Sequence, residues 1–141
     1  HGLIKNVNTQ AAPLCGVVHA AGVLRDALFI NQTAEDLKTV WAPKATGALN
    51  LHGAVCDHAG ANESVRMFVL FSSVASMLGN AGQSNYAAAN SCLDVLGQWR
   101  SNAGYCAVSV QWGAWADLGM AANDTVIVRM RATGFGLIGQ D

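Results

Sequence analysis

The sequence has few charged residues and no cluster of either sign. Of its 141 residues only 12% are charged, and 8 basic residues stand against 9 acidic ones. Proteins that bind nucleic acid need clustered lysine and arginine side chains to neutralise phosphates, so we expect no nucleic-acid partner. The longest uncharged apolar runs are shorter than a membrane span requires, so we also expect no membrane partner.

Paired cysteines are lacking as well. The four cysteines are spread along the chain without a CxxC pair: Cys15, Cys56, Cys92 and Cys106. This spacing predicts neither a disulfide framework nor a zinc ribbon, and it favours a reduced, cytoplasmic setting. Cys56 and His58 are close in sequence, but no second pair stands at ligand spacing, so we predict no metal site.

The start of the chain, at His1, lacks an initiator methionine, a charged leader and a signal-like apolar segment. We therefore expect the chain to be an excerpt from a longer polypeptide. Its apolar content of 52% is enough for a hydrophobic core. Residues 1–141 are interpreted as a single fragment of one domain.

Three short apolar runs, at residues 14–19, 67–71 and 106–112, predict buried strands. The first is apolar on both faces, which is expected of a parallel strand covered by helices. Helical patterns separate the runs, from Thr33 to about His58 and from about Asn85 to Arg100. Strands that alternate with helices, without a hairpin signal, predict an α/β fold with a parallel sheet.

The first predicted helix has a clear start and an interruption. Thr33 and Asp36 form a capping box at its beginning. Pro43 disfavours helical angles at Ala42, so we expect the helix to kink or restart there. Lys44 would then lie in a first helical turn, against the helix dipole. It is either a solvent-facing residue or one held in place by something that it binds.

The stretch from Met67 to Asn90 carries the strongest indication of a site. Its apolar strand ends in Ser72 and Ser73, a loop at 79–83 follows, and Tyr86 and Asn90 stand four residues apart on the next helix. Serine and tyrosine oxygens at the carboxyl edge of an α/β sheet suit proton donation to a carbonyl. Alternatively, the serines cap a turn and the tyrosine packs sideways.

Three further stretches bear on the interpretation of the site. Ala21 and Gly22 after the first strand either admit a flat ligand or form a tight turn. The segment 134–139 matches the dinucleotide pattern GxGxxG, but no helix and no second strand follow it, so we reject it as a phosphate site. Residues 117–131 are interpreted as a mobile lid above the carboxyl edge.

Four segments, in order, resemble signatures of the ketoreductase domains of type I polyketide synthases, which belong to the short-chain dehydrogenase/reductase superfamily. The segments are GVVHAAGVLRDALF, WAPKATGALNLH, FVLFSSVASMLGNAGQSNYAAANSCLD and VQWGAWADLGMA, and together they span the chain from residue 16 to residue 121. The ketoreductase of animal-type fatty acid synthase is similar. The resemblance implies a partial Rossmann-like fold that lacks its N-terminal strands.

The resemblance also implies roles for four residues. The wider superfamily has a lysine four residues after its catalytic tyrosine, where this chain has Asn90; the polyketide synthase enzymes instead bring a lysine from the earlier helix, where Lys44 stands. Tyr86 would be the general acid, Ser73 would bind the keto oxygen, Lys44 would stabilise the tyrosinate and contact the cofactor ribose, and Asn90 would hold the relay. Ser73 is preferred to Ser72 because it lies thirteen residues before Tyr86, the family spacing.

Cofactor and substrate positions follow from the same resemblance. The implied cofactor is NADPH, and the residues implied to contact it are Ala20, Ala21, Gly22, Lys44, Trp112, Gly113 and Met120. Leu24, Arg25 and Asp26 resemble the Leu-Asp-Asp motif of the ketoreductases that give D-configured alcohols, with an arginine replacing the middle aspartate. Leu78 stands where the opposite type has a tryptophan, which also favours the D-hydroxyl product.

The function that the resemblance implies is NADPH-dependent reduction of a β-ketoacyl thioester on an acyl carrier protein within a polyketide synthase. The implied partners are that carrier-bound substrate, the missing N-terminal half and the neighbouring synthase domains. The fragment alone is expected to be inactive. The alternatives are a fatty acid synthase ketoreductase, a reductase of a free small molecule, and a catalytically silent structural half-domain.

Overall fold

The structure, a computed structural model, describes residues 13–57, 64–115, 134 and 136–139. Within these residues three parallel strands form one sheet in the order β1-β2-β3. The strands are β1 (Gly16–His19), β2 (Met67–Ser73) and β3 (Val108–Trp112), and helices occupy the connections between them. The predicted α/β architecture of three parallel strands with flanking helices is confirmed.

Strand β2 extends further than β1 at the carboxyl edge of the sheet. His19, the last residue of β1, pairs with Leu70, whereas Ser73, the last residue of β2, pairs with Trp112 of β3. The strand therefore ends in the two serines, as the sequence predicted. Because Ser73 is held on a regular strand, its position at this edge is well defined.

The first crossover begins at the predicted capping box, which is confirmed. Thr33 is the N-cap of α1 (Ala34–Trp41), and its hydroxyl oxygen accepts a hydrogen bond from Asp36 N at 3.1 Å. In return, Asp36 Oδ2 accepts a hydrogen bond from Thr33 N at 3.0 Å. These reciprocal bonds satisfy backbone N–H groups that a helix start otherwise leaves unpaired.

The predicted departure from helical angles before Pro43 is wrong. Ala42 has φ -57° and ψ -55°, and the chain continues through a wide π turn, Ala42–Thr46, into α2 (Gly47–Asp57). Proline removes one N–H donor from the helical ladder, and a widened turn accommodates that loss without ending the helix. Lys44 therefore lies inside a continuous helical segment, so the helix-dipole argument does not apply to it.

The second crossover contains a short helix that the sequence did not predict, α3 (Ala75–Leu78), followed by α4 (Ser84–Asn102). The helix predicted near residues 85–100 is confirmed as α4. Gly104 follows it with a φ of 82°, a left-handed conformation that glycine adopts without strain and that commonly follows a helix end. A helical turn at Phe29–Asn31 precedes α1.

The described helices cover one face of the sheet. The main core lies there, and its buried members are Val17, Ala48, Ala54, Val55, Val65, Phe68, Leu70, Leu93 and Leu96. On strands β1 and β2, Val18 and Met67 are 54% and 47% exposed. The expectation that both faces of the first strand are covered is therefore wrong for the part of the chain that the structure describes. In that part, β1 pairs with β2 alone.

Helix α4 approaches strand β3 very closely. A Cβ atom added at Gly97 would lie 3.2 Å from the Cβ of Ser109, so any larger residue would push the two elements apart. This close packing allows Asp94, one turn earlier on α4, to accept hydrogen bonds of 2.6 Å from the hydroxyls of both Ser109 and Ser76. Gln111 Nε2 donates to the same carboxylate at 3.0 Å.

The glycine pattern at 134–139 lies beside the end of β3. Ile138 N donates to Ala114 O at 2.8 Å, and Ile138 forms a parallel bridge with Trp115. The described part of the segment is thus not a strand-to-helix turn. The proposed lid at 117–131, including Met120, lies outside the described residues. Among the helices that the structure describes, none is long and apolar enough to cross a membrane.

Candidate active site

Three elements bring polar side chains together at the carboxyl edge of the sheet. Ser73 ends β2, Tyr86 lies in the first turn of α4 with Asn90 one turn later, and Lys44 lies in the π turn. Lys44 and Asn90 are 3% and 0% exposed, and Tyr86 is 8% exposed. Charged and polar side chains are rarely buried together unless they are paired, so this cluster needs a specific explanation.

Burial dominates the chemistry of Tyr86. It raises the pKa of the phenol, and the side chains of Asn90 and Ser73 oppose that rise by hydrogen bonding, while the charge of Asp26 adds to it. The phenol therefore keeps its proton at neutral pH. A protonated phenol is the form required to donate a proton to a carbonyl oxygen.

Lys44 lies between β2 and the tyrosine. Its Nζ donates to Phe71 O at 2.9 Å and lies 5.3 Å from the centroid of the Tyr86 ring. Burial lowers the pKa of Lys44 to about 8, although the carboxylate of Asp94 opposes the effect. A cation at this distance from an aromatic ring is attracted to the π system.

The resemblance implies that Lys44 stabilises the deprotonated form of Tyr86. In the structure the largest effect on the pKa of Tyr86 is burial, which raises it. The stabilisation of a tyrosinate by Lys44, whose ammonium lies 5.3 Å from the ring centroid, therefore stays a prediction.

Asn90 links the helix, the strand and the site. Its Nδ2 donates to Tyr86 O at 2.8 Å, and its backbone oxygen accepts a bond from Ser72 Oγ at 3.3 Å. Its Oδ1 is buried and has no hydrogen-bond partner among the described residues. A buried acceptor without a donor is costly, so this atom marks a place where a ligand or a water donates a hydrogen bond.

The two serines have different environments. Ser72 is buried and donates to the backbone of α4. Ser73 lies close enough to Tyr86 to affect its pKa, and its Oγ also accepts a bond from Ala75 N at 3.2 Å. Ser73 thus makes both contacts that the sequence presented as alternatives, with the turn and with the tyrosine.

The segment after β1 is tied to the start of α4. Ala27 N donates to Gly82 O at 2.9 Å, and Gln83 Nε2 donates to Asp26 Oδ2, also at 2.9 Å. Asp26 is therefore fixed beside the first turn of the helix that carries Tyr86. Leu78, the other residue predicted to affect stereochemistry, ends α3 and is 56% exposed.

Asn85 strengthens that link, and sequence reasoning missed it. Its side chain is only 2% exposed, its Nδ2 donates to Arg25 O at 2.8 Å, and its Oδ1 accepts from Tyr86 N at 2.7 Å. It therefore joins the backbone of the Asp26 loop to the backbone of the tyrosine. Its position directly before Tyr86 was a signal, because a polar residue on the buried side of a helix start must find partners.

Replacing Asn85 by alanine should lower the free energy of unfolding by about 1–3 kcal/mol, because it leaves a buried donor and a buried acceptor unpaired. Asn85→Asp keeps the acceptor for Tyr86 N but places a carboxylate against Arg25 O, so it should also destabilise. Asn50→Ala, at an exposed position of α2, is the matched control and should change stability by less than about 0.5 kcal/mol. Urea unfolding of the domain measures all three, and equal midpoints for Asn85→Ala and Asn50→Ala would contradict this role.

The positions predicted to contact a cofactor surround the same edge. Ala20 and Ala21 follow β1 directly and are exposed, and Gly22 is half-buried. At the other side, Trp112 ends β3 with its ring centroid 5.4 Å from that of Phe71. The indole Nε1 of Trp112 is buried with no hydrogen-bond partner in the described parts of the chain. Gly113 comes next in sequence, and Met120 lies outside the described residues.

The comparison with protein families decides the affiliation of this site. The model of the KR domain family matches residues 1–117. The chain belongs to that family. A mycocerosic acid synthase-like polyketide synthase from Mycolicibacterium smegmatis is 44% identical over 129 residues, which are 89% of this chain and 6% of that protein.

Solved ketoreductase structures share the fold. The ketoreductase from the first module of phoslactomycin biosynthesis in Streptomyces sp. HK803 is 40% identical, with a TM-score of 0.86 over 98% of this chain and 31% of that one. A structure of A-type ketoreductases from a modular polyketide synthase is 36% identical, with a TM-score of 0.87 over 98% of this chain and 29% of that one. The KR chain thus spans less than a third of these structures, and its fold is the Rossmann-like fold of short-chain dehydrogenases.

The described site fits the nicotinamide cofactor on which KR domains depend. An ammonium group has three donors, and Lys44 uses one of them on Phe71 O, which leaves donors for ribose hydroxyls. The unpaired Asn90 Oδ1 can accept from a hydroxyl at the same place. Small exposed residues after β1 leave the backbone accessible to a flat ring.

Proposed function

We propose that this KR chain is the catalytic half of an NADPH-dependent ketoreductase that reduces a β-ketoacyl thioester on an acyl carrier protein. The parent protein in this proposal is a polyketide synthase. The observation that carries it is the buried Lys44, which reaches from the first crossover to within 5.3 Å of the Tyr86 ring centroid. The superfamily usually has its catalytic lysine at the position where this chain has Asn90. Lys44 supplies that lysine from another helix.

Tyr86 is the proposed general acid. The burial-raised pKa keeps the phenol protonated, so it can give its proton to the keto oxygen as the carbonyl becomes an alcohol. Ser73 donates a second hydrogen bond to that oxygen. NADPH, when bound, supplies the hydride that adds to the carbonyl carbon.

Lys44 has two tasks in this proposal. Its ammonium holds the ribose hydroxyls of the cofactor, and its positive charge stabilises the tyrosinate that remains after proton transfer. Asn90 fixes the first turn of α4 through its bond to Tyr86 O and offers its free Oδ1 to the proton relay. The contacts of Ala20, Ala21, Gly22, Trp112, Gly113 and Met120 with the cofactor belong to the same proposal.

The chain is proposed to need the segment that precedes it in the parent. The KR relatives are several times longer, and a further strand would pair at the edge of β1 that has no partner strand among the described residues. We therefore expect the 141 residues alone to reduce nothing measurable. Partners in the parent are the N-terminal half, the neighbouring synthase domains and the carrier-bound substrate.

The experiment compares two proteins, the 141-residue chain and the same chain extended upstream to a complete domain. The extended domain should oxidise NADPH in the presence of a β-ketoacyl N-acetylcysteamine thioester, and the short chain should not. Chiral chromatography of the product should show the D-hydroxyl form, because Asp26 and Leu78 stand where the resemblance implies that type of ketoreductase. Activity of the short chain, or no activity of the extended one, would contradict the proposal.

A silent structural half-domain is the second candidate. The packing of the three strands alone would favour it, since a half-domain can brace a neighbouring domain without doing chemistry. A buried lysine, tyrosine and asparagine at one point are costly to maintain for bracing alone, and this cost favours catalysis.

A competition experiment separates a synthase domain from a reductase of free small molecules. A synthase domain should reduce the carrier-bound substrate in preference to the free thioester.

A further inference from the structure

His19 contacts the turn that carries Lys44. It is the last residue of β1, it is 5% exposed, and its Nε2 lies 2.8 Å from Lys44 O. A carbonyl oxygen only accepts hydrogen bonds, so Nε2 carries the hydrogen and donates it. The bond spans 25 residues of sequence and joins the sheet to the first crossover.

The bond from His19 ends on the π turn, whose own hydrogen bonds differ from those of a regular helix. Gly47 N–H reaches back to Ala42 O, five residues away, and also to Lys44 O, so the hydrogen-bond ladder of the continuous helical segment widens around the lysine. Such wide turns are frequent at functional sites because they change the direction of one residue in a helix. A wide turn is also less well held by its own bonds, so an external donor fixes its geometry.

Gly47 is the residue that lets the imidazole approach. A Cβ atom added there would lie 3.2 Å from His19 Cε1, closer than nine in ten such contacts in proteins. The ring of His19 therefore occupies the space that a side chain at residue 47 would need. His19 at the end of β1 donates the bond to Lys44 O, and Gly47 after the π turn leaves the space that its ring needs.

Lys44 is consequently held at both of its ends. Its carbonyl is bonded to β1 through His19, and its ammonium is bonded to Phe71 O of β2. Because β1 and β2 are neighbouring strands of one sheet, the two bonds fix the lysine against a rigid surface. The ammonium is thereby directed at the Tyr86 ring.

We propose that His19 is a positioning residue that sets the direction of Lys44 through the π turn, with Gly47 providing the space for its ring. This inference rests on the proposed function of Lys44 and deepens it. A purely structural histidine, which only fills a hole in the core, would be replaced without loss by an apolar residue of similar size. The donor on Nε2 would then be unimportant.

The test uses the complete domain, in wild-type form and as His19→Leu, His19→Gln and Gly47→Ala. Glutamine has an N–H donor the same number of bonds from Cα as Nε2 of histidine, so it is the conservative rescue. We expect His19→Leu and Gly47→Ala to lower kcat by about 10-fold or more with KM for the thioester unchanged within about 2-fold. His19→Gln should stay within about 3-fold of wild type.

Gly53→Ala is the matched control for Gly47→Ala. Gly53 lies in the same helix, and a Cβ atom there has no other atom within 4 Å. It should leave kcat unchanged. If His19→Leu fails to fold, the comparison of Gly47→Ala with Gly53→Ala still decides. Equal kcat for His19→Leu and His19→Gln, or for the two alanine variants, overturns the inference.

A second readout does not depend on catalysis. Acetic anhydride should modify Lys38, which is exposed on α1, much faster than the buried Lys44 in the wild type, as measured by peptide mass spectrometry. We expect Lys44 labelling, normalised to Lys38, to rise by about 5-fold or more in His19→Leu and to stay low in His19→Gln. If the wild type shows no ketoreduction, the proposed function fails, while the labelling ratio still tests the role of His19. Equal labelling of the two His19 variants would overturn it.

Discussion

Tyr86→Phe in the complete domain should lower kcat by about 10²- to 10⁴-fold, the typical contribution of a positioned general acid. The phenol is buried and keeps its proton because burial raises its pKa, and phenylalanine removes only that hydroxyl. The affinity for NADPH should not change, since the ring remains in place. The measurement is NADPH oxidation with a β-ketoacyl thioester, together with fluorescence titration of NADPH.

Tyr105→Phe is the matched control, because Tyr105 is the only other tyrosine of the sequence. Tyr105 is 37% exposed and lies beside Arg100 at the far end of α4. It should retain full activity. A Tyr86→Phe enzyme that keeps a wild-type kcat would remove the general acid from the proposal and would support the structural half-domain.

Lys44→Met should lower kcat/KM by about 100-fold or more, because it removes a preorganised charge from a site where water is excluded. Methionine has a similar length and fills the buried space, so the fold should survive the change. Lys38→Met, at an exposed position of α1, is the control and should have no effect. Thioester kinetics at saturating NADPH separate the loss of chemistry from the loss of cofactor affinity.

The pH profile gives an independent test of the same residue. Burial lowers the pKa of Lys44 to about 8, so the ammonium loses its proton as the pH rises through that value. The pKa of Tyr86 is raised, so the phenol keeps its proton over the same range. Activity should therefore be level below pH 8 and fall above it. In Lys44→Met this alkaline decline should be absent from the residual activity, and its persistence would assign the decline to another group.

The helices and strands were largely predictable because their signals are local. A capping box at Thr33 and three apolar runs depend on neighbouring residues alone, and the structure has each of them. The one wrong local prediction concerned Pro43. Its missing N–H is accommodated by a π turn because the turn is also bonded to the sheet, through His19, and that is a tertiary interaction.

The residues of the site also fall into those that the sequence identified and those that it missed. The sequence, through its family signatures, identified Lys44, Ser73, Tyr86 and Asn90 as a set, and the structure brings these residues together. It missed His19 and Asn85, which act through contacts to residues distant in sequence. No local pattern marks a side chain whose partner is a backbone carbonyl on another element.

By itself, therefore, the sequence determined the order of strands and helices, the affiliation with ketoreductase domains and the identity of the polar residues at the carboxyl edge. Only the tertiary structure decided the protonation of those residues and the direction of Lys44. The physical reason is that a pKa depends on burial and on the charges that face a group, and neither is known before packing. Packing leaves the Tyr86 phenol protonated and turns Lys44 toward its ring and Phe71 O, which the sequence did not predict.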